Sequence, residues 1–319
     1  MLAAFRGTPP PSSGTTAVSG TFTIVGTYCV PDDNYKDTLQ VLVHGITYGR
    51  DYWAGLGFSG DLNWNVAANA AGYATLAIDR LGHGDNPQRP DPLTVVQPEM
   101  NLQILNALLT AVRSSSSPTN ALGHGYSKVV YVGHSYGSFL GSAIAGRFPA
   151  AADAMVLTGF ATTRNFSDVL TADWTAAANH APADGGLPFG YITLGDEAGR
   201  TAVFYGGAFD ADLPPLDFNI EDTITDGEAA ALTILLDPAP EFTSPLFIAT
   251  GVLDVFFCNE GGVQGCEANL AQSRPDFFPN VPEAKFGFFA PDNTGHDISL
   301  HDSAPQTFAA VFDFLDAQL

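Results

Sequence analysis

Residues 129–137 read Val129-Val130-Tyr131-Val132-Gly133-His134-Ser135-Tyr136-Gly137. Four residues that favour strands lead directly into G-x-S-x-G, and the small residues from Ser138 to Phe148, closed by Pro149, predict a helix immediately after it. That context gives the pentapeptide its meaning. A turn this sharp between strand and helix brings the residues two before and two after its apex into collision, and glycine at both places removes the offending Cβ atoms. The hydroxyl of Ser135 is then expected to stand exposed above a sheet, with a helix N-terminus directed at it.

Other short apolar runs have the near-continuous character of strands buried on both faces of a parallel sheet: Leu39–Val43, Ala74–Ile78, Ala154–Leu157 and Leu246–Ala249. Phe22, Ile24, Val25, Tyr28 and Val30 suggest an edge strand pair within Gly20–Val30. Helical stripes alternate with the strands. Gln97–Arg113 places Met100, Leu102, Ile104, Leu105, Leu108, Leu109 and Val112 at helical spacing, and Thr307–Leu319 does the same with Phe308, Val311, Phe312 and Leu315. Strand–helix alternation argues an α/β fold: a mostly parallel central sheet flanked by helices. The alternation breaks from 161 to 242, where Trp174, Phe189, Tyr191, Phe204, Tyr205 and Phe209 are scattered among Gly, Pro and Asp. A stretch that long is no plain loop. It is read as an inserted cap, dividing the chain into a core of 1–160 and 243–319 and a cap of 161–242. Residues 6–18, rich in Pro, Ser, Gly and Thr, read as a tail or surface strap.

With 45% hydrophobic residues in 319, the chain has material for a large core, and disorder as its main state is excluded. Twelve Lys and Arg against 34 Asp and Glu leave a net charge of −22, which repels phosphate backbones and anionic lipid and argues against nucleic-acid or membrane partners. No apolar run approaches the roughly 20 residues of a membrane span. The start, Met1-Leu2-Ala3-Ala4-Phe5-Arg6, lacks a basic region and a long apolar stretch, so either the chain is cytosolic or a signal has been removed. Of three cysteines, Cys258 and Cys266 flank a Gly-rich stretch and form either a disulfide or two idle thiols. A bridge would favour an oxidising, extracellular setting, with which the scarcity of lysine (Lys36, Lys128 and Lys285) and the sequon Asn165-Phe166-Ser167 agree. No histidine spacing suggests a metal site, and no cofactor is expected.

At this point the chain resembles the α/β-hydrolase fold family, in its serine-nucleophile esterase and lipase branch. Val43-His44-Gly45-Ile46 stands where that family builds its oxyanion hole, and Asp79-Arg80-Leu81-Gly82-His83-Gly84 resembles its D-R-x-G-x-G stretch. The resemblance implies Ser135 as nucleophile, Asp254 in Thr250-Gly251-Val252-Leu253-Asp254 as the acid, and His296 in Thr294-Gly295-His296-Asp297 as the base, with His301 as the near alternative. It implies the backbone N–H groups of Ile46 and Tyr136 as oxyanion donors. His44 and His134 neighbour those donors rather than the acid, so neither is read as the base. His44, Tyr48, Trp53 and the cap's Trp174 are the candidates for touching substrate. The tract Tyr48–Trp53 either lines the acyl pocket or packs its loop on the cap. His83, His124 and His180 are read as core or surface histidines. The expected substrate is a small, largely apolar carboxylic ester, lactone or thioester. The same triad also supports lyase, acyl-transfer or perhydrolase chemistry, and the same scaffold a non-catalytic binding protein.

Overall fold

The structure is a computed structural model that describes residues 17–166, 172–177, 186–231, 235, 237–258 and 261–319. Most of the expected N-terminal strap, His180 and Ser167 of the sequon lie outside the described residues. The described residues form ten strands: β1 (Gly26–Cys29), β2 (Thr38–Val43), β3 (Ala74–Ile78), β4 (Lys128–His134), β5 (Ala154–Thr158), β6 (Trp174–Ala176), β7 (Tyr191–Leu194), β8 (Ile224–Thr225), β9 (Leu246–Ala249) and β10 (Phe286–Phe289). The α-helices are α1 (Trp64–Ala70), α2 (Pro98–Ala111), α3 (Tyr136–Arg147), α4 (Glu197–Phe204), α5 (Leu213–Asn219), α6 (Asp226–Ala230), α7 (Gly262–Phe277) and α8 (Ala304–Gln318).

Seven strands form one sheet in the order β1-β3-β2-β4-β5-β9-β10, parallel except for β1, which runs antiparallel to β3. The fold is the α/β-hydrolase one the sequence implied. Two details differ from the sequence reading. A single strand, not a pair, covers the β3 edge within Gly20–Val30, and α3 starts two residues earlier than expected, at Tyr136. β2, β3 and β5 are buried at every position, which is why they read as unbroken apolar runs. Gln40, the polar exception in β2, accepts a hydrogen bond from the Trp64 indole at 2.8 Å. α2 buries Leu102, Leu105 and Leu109 along the predicted stripe, and Pro98 opens it where a missing N–H is harmless. The small residues of α3 let it pack almost wholly buried.

The parallel register aligns Val43 of β2 with Gly133 of β4, and His134 with Thr158 of β5, which in turn aligns with Ala249 of β9. The loops leaving β2, β4, β5, β9 and β10 therefore emerge along one edge. Strand order reverses there between β2 and β4, the place where open α/β sheets bind ligands.

Between β5 and β9 the chain leaves this sheet. β6, β7 and β8 form a separate three-stranded antiparallel sheet, with α4, α5 and α6 around it. This insert is fastened to the core by buried charge. Arg80, from the stretch after β3, pairs with Glu228 of α6, and neither side chain is accessible. His83 (3.0 Å) and the Asn101 amide (3.1 Å) also bond Glu228, which completes a capping box with Thr225. Burial pushes the Glu228 carboxyl up, but Arg80 and His83 outweigh burial and hold it near a pKa of about 2.

Glu228→Gln leaves Arg80 buried without an anion and is expected to destabilise the protein by roughly 3–5 kcal/mol, read as a lower urea midpoint at pH 7. Because the folded pKa lies below the unfolded one, the ionised pair stabilises above the ordinary glutamate pKa of 4.5, and that contribution is lost as pH falls toward about 2. The variant should lose this part of the acid dependence; a midpoint and pH profile like the parent's would show that the pair does not secure the insert.

Candidate active site

Ser135 sits between β4 and α3 with φ 52° and ψ −115°, a conformation rare for any residue with a Cβ. The surroundings enforce it. A Cβ on Gly137 would stand 2.1 Å from the carbonyl oxygen of Val43, and one on Gly133 would stand 2.5 Å from Gly137 itself. The Ser135 N–H donates to Thr158 O at 2.8 Å, locking the bend to β5. Tyr136 opens α3, so its N–H belongs to the first turn and has no intrahelical acceptor. The loop after β2 abuts the bend: a Cβ on Gly45 would lie 3.0 Å from Ser135 Cβ. Among the described residues, neither the Ile46 nor the Tyr136 N–H has a hydrogen-bond partner.

Asp254 and His296 come from the loops after β9 and β10. These loops are tied directly, the Leu253 N–H donating to Thr294 O at 2.8 Å. The Asp254 carboxylate, wholly buried, takes the Phe256 N–H on Oδ1 (2.8 Å) and His296 Nδ1 on Oδ2 (2.7 Å). With Nδ1–H so committed, Nε2 is the lone-pair nitrogen of the neutral ring. It is buried and has no hydrogen-bond partner. His296 lies over the end of β5 beside the bend: a Cβ on Gly159 would come within 2.9 Å of its Cε1, and its ring centroid is 5.0 Å from that of His134. Of the two hydrogen bonds that would join the three residues, the one between Asp254 and His296 is formed, and none joins His296 to Ser135 Oγ among the described residues. Such contacts commonly tighten only when substrate arrives.

Phe204 (5.9 Å), Phe256 (4.4 Å) and Phe257 (6.0 Å) surround the imidazole with apolar rings. Burial lowers the His296 pKa, but the Asp254 carboxylate, its hydrogen bond and Asp297 outweigh that and raise it above the ordinary imidazole value. Phe256 and Phe257 also wall a cavity of about 340 Å³ with Arg164, Asn165 and Asn269. A larger cavity of about 590 Å³ is lined by Arg50, Asp51, Asp79, Asp85 and Asp222 but by none of Ser135, Asp254 or His296, so size alone does not assign it to the chemistry.

Several sequence expectations for this region change. His301, the alternative to His296, is engaged through both ring nitrogens: its Nε2 accepts from the N–H groups of Gly206 (3.2 Å) and Gly295 (3.1 Å), and its Nδ1–H donates to Asp297 O (2.8 Å). His44, expected to touch substrate, is wholly buried. It accepts from the Arg80 N–H at 3.0 Å and donates to Gly45 O at 2.9 Å, so it braces the loop from inside. Tyr48 and Trp53 are also buried, Tyr48 bonded to Asp217 (2.7 Å) and Asp297, Trp53 packed between Tyr52 and Trp64. Trp174 is buried on β6. All four side chains are therefore buried, Trp174 on a strand and the others in or beside the loop after β2. His83 is a core histidine and His124 an exposed one on Asp37.

Sequence reasoning gave no role to Asp297, which accepts from His134 at 2.9 Å and pairs with Tyr48, nor to Arg200 and Asp217 of the insert, which pair at 2.7 Å. No local pattern marks them. His134, His296 and Asp297 offer ligand atoms within 4.8 Å of one another, the single such group found among the described residues. His134 and Asp297 are already bonded to each other, and His296 to Asp254, so the set reads as a hydrogen-bonded network rather than an open coordination sphere. Cys258 and Cys266 form a disulfide, which ties the loop after Asp254 to α7.

Comparison with known proteins agrees with this fold. A model of the alpha/beta hydrolase family matches residues 40–311. Among solved structures, a monoacylglycerol lipase from Paleococcus ferrophilus superposes with a TM-score of 0.60 at 14% identity, covering 93% of this chain and 100% of that one. Methylketone synthase I from tomato, complexed with 2-tridecanone, gives 0.60 at 12% identity over 89% and 100%. A methylesterase from Arabidopsis gives 0.57 at 15% over 88% and 99%. At these identities the likeness speaks for the fold alone, and no curated protein matches the sequence significantly. Strand order, bend and family match converge: the chain belongs to the alpha/beta hydrolase family.

Proposed function

We propose that this chain is a serine hydrolase that cleaves a small, largely apolar carboxylic ester through an acyl-enzyme on Ser135. The observation that carries the reading is the placement of a serine at φ 52° on a strand-to-helix bend, beside an imidazole bonded to a buried carboxylate at 2.7 Å. Ser135 Oγ attacks the ester carbonyl while His296 Nε2 takes its proton, and Asp254 steadies the imidazolium. The N–H groups of Ile46 and Tyr136, both without partners, receive the oxyanion. His296 returns the proton to the departing alkoxide. Water then repeats the sequence in reverse, freeing the acid and Ser135. The phenylalanines around His296 favour an apolar substrate portion, and the net charge of −22 favours neutral or cationic esters over polyanionic ones. In this reading 161–242 acts as a cap, and the Cys258–Cys266 disulfide agrees with an extracellular setting.

Ser135→Ala is expected to lower turnover of p-nitrophenyl esters by roughly 10⁴–10⁶-fold with an unchanged melting temperature. A fluorophosphonate probe should label Ser135, located by mass spectrometry. Full activity in the variant would remove the assignment. Because the base must be neutral and its pKa is raised, the acid limb of kcat/KM should lie above about pH 6.5. Asp254→Asn should move that limb to lower pH and reduce kcat by about 10⁴-fold; an unmoved limb would mean that Asp254 is not the partner of the titrating base.

A further inference from the structure

Thr47 directly follows Ile46, whose N–H is the oxyanion donor in the reading above. It holds φ 57°, the left-handed region that β-branched residues rarely occupy. Such a conformation persists only where the surroundings over-determine it. Here they belong to the insert. The Thr47 N–H donates to Thr223 O at 3.1 Å. Its carbonyl accepts from the Asp222 N–H at 2.9 Å and from Arg200 Nη2 at 3.3 Å. Its hydroxyl oxygen accepts from Arg200 Nη1 at 2.8 Å.

Arg200 is built for this. It is 1% exposed, and its guanidinium lies between the rings of Tyr48 (4.6 Å) and Phe204 (5.0 Å). Asp217 (2.7 Å) and Glu221 (2.8 Å) hold it in plane, and Asp217 also takes the Tyr48 hydroxyl at 2.7 Å. The planar fork therefore spans two carboxylates and Thr47 at once, which an ammonium cannot do.

We propose that Arg200 is a positioning residue for the oxyanion hole: it fixes Thr47 in its left-handed conformation and so aims the Ile46 N–H at the reacting carbonyl. The inference rests on the esterase reading and extends it, making the insert a structural part of the catalytic apparatus as well as its cover.

The test measures ester turnover, normalised by titration of active sites, and inhibition by an alkyl boronic acid that forms a tetrahedral adduct on serine. Arg200→Met should lower kcat by about 10²–10³-fold, the usual effect of losing one oxyanion donor, with KM little changed and boronate affinity reduced in parallel. Thr47→Gly alone should lower kcat less than Arg200→Met does. Combined with Arg200→Met it should restore kcat at least tenfold, because glycine occupies this φ without a clamp. Arg200→Met also leaves two buried carboxylates without a cation, so Arg200→Lys is measured beside it; a folded Arg200→Lys should show the same fall in kcat and boronate affinity. Parental kcat and boronate affinity in folded Arg200→Lys, or a loss in Arg200→Met that Thr47→Gly does not relieve, would overturn the proposal. Ser135→Ala separates the two readings: an active Ser135→Ala removes the esterase assignment itself, whereas an inactive one beside a fully active Arg200→Lys removes only the positioning role.

Discussion

The helix after Ser135 packs so closely on the central strands that no side chain fits where it passes the end of β2. The 2.1 Å that would separate a Cβ on Gly137 from the Val43 carbonyl shows how little room is left. Everything at the site is organised by this closeness. It bends the chain sharply enough to hold Ser135 at positive φ, and it aligns the first turn of α3 with the loop after β2. It also puts His134 against Tyr52, with ring centroids 4.4 Å apart, and against Asp297, so that the residue before Ser135 anchors the residue after His296. A larger residue at position 137 would separate helix and strand, and every distance at the site with them.

A second theme is the use of buried charge. The exterior carries the acidic excess, yet the pair that holds the insert to the core, Arg80 with Glu228, is ionic and inaccessible, and so nearly is the pairing of Arg200 with Asp217 and Glu221 inside the insert. Such pairs add little net stability over an apolar packing of equal volume, because desolvation offsets most of the attraction. They do impose geometry. A guanidinium satisfied by two carboxylates and a backbone carbonyl has few alternative placements, whereas a greasy contact tolerates sliding. For an insert that must sit in register with the loop after β2, this directional kind of contact is the useful one.

Much of this was legible beforehand. The strands announced themselves because burial on both faces demands unbroken apolar runs. The bend was readable because its steric requirement falls on residues two apart. Asp254 and His296 could be named because the resemblance implies a residue in each of the loops after β9 and β10, and the structure places these two in contact. The aromatic residues were open to two readings. Tyr48, Trp53 and Trp174 suit a substrate wall or a core equally well in composition, and only packing shows that they turn inward. His44 had the same ambiguity, resolved by its bonds to Arg80 and Gly45.

The sequence by itself determined the α/β class and the bend at Ser135, since each depends on periodicity or on neighbours a few residues apart. Only the tertiary structure decided which loops meet. Arg200 reaches Thr47 across 153 residues, and Asp297 reaches His134 across 163. Contacts at such separations depend on how strands are ordered in the sheet and where the insert folds back, and no local pattern of residue types encodes either.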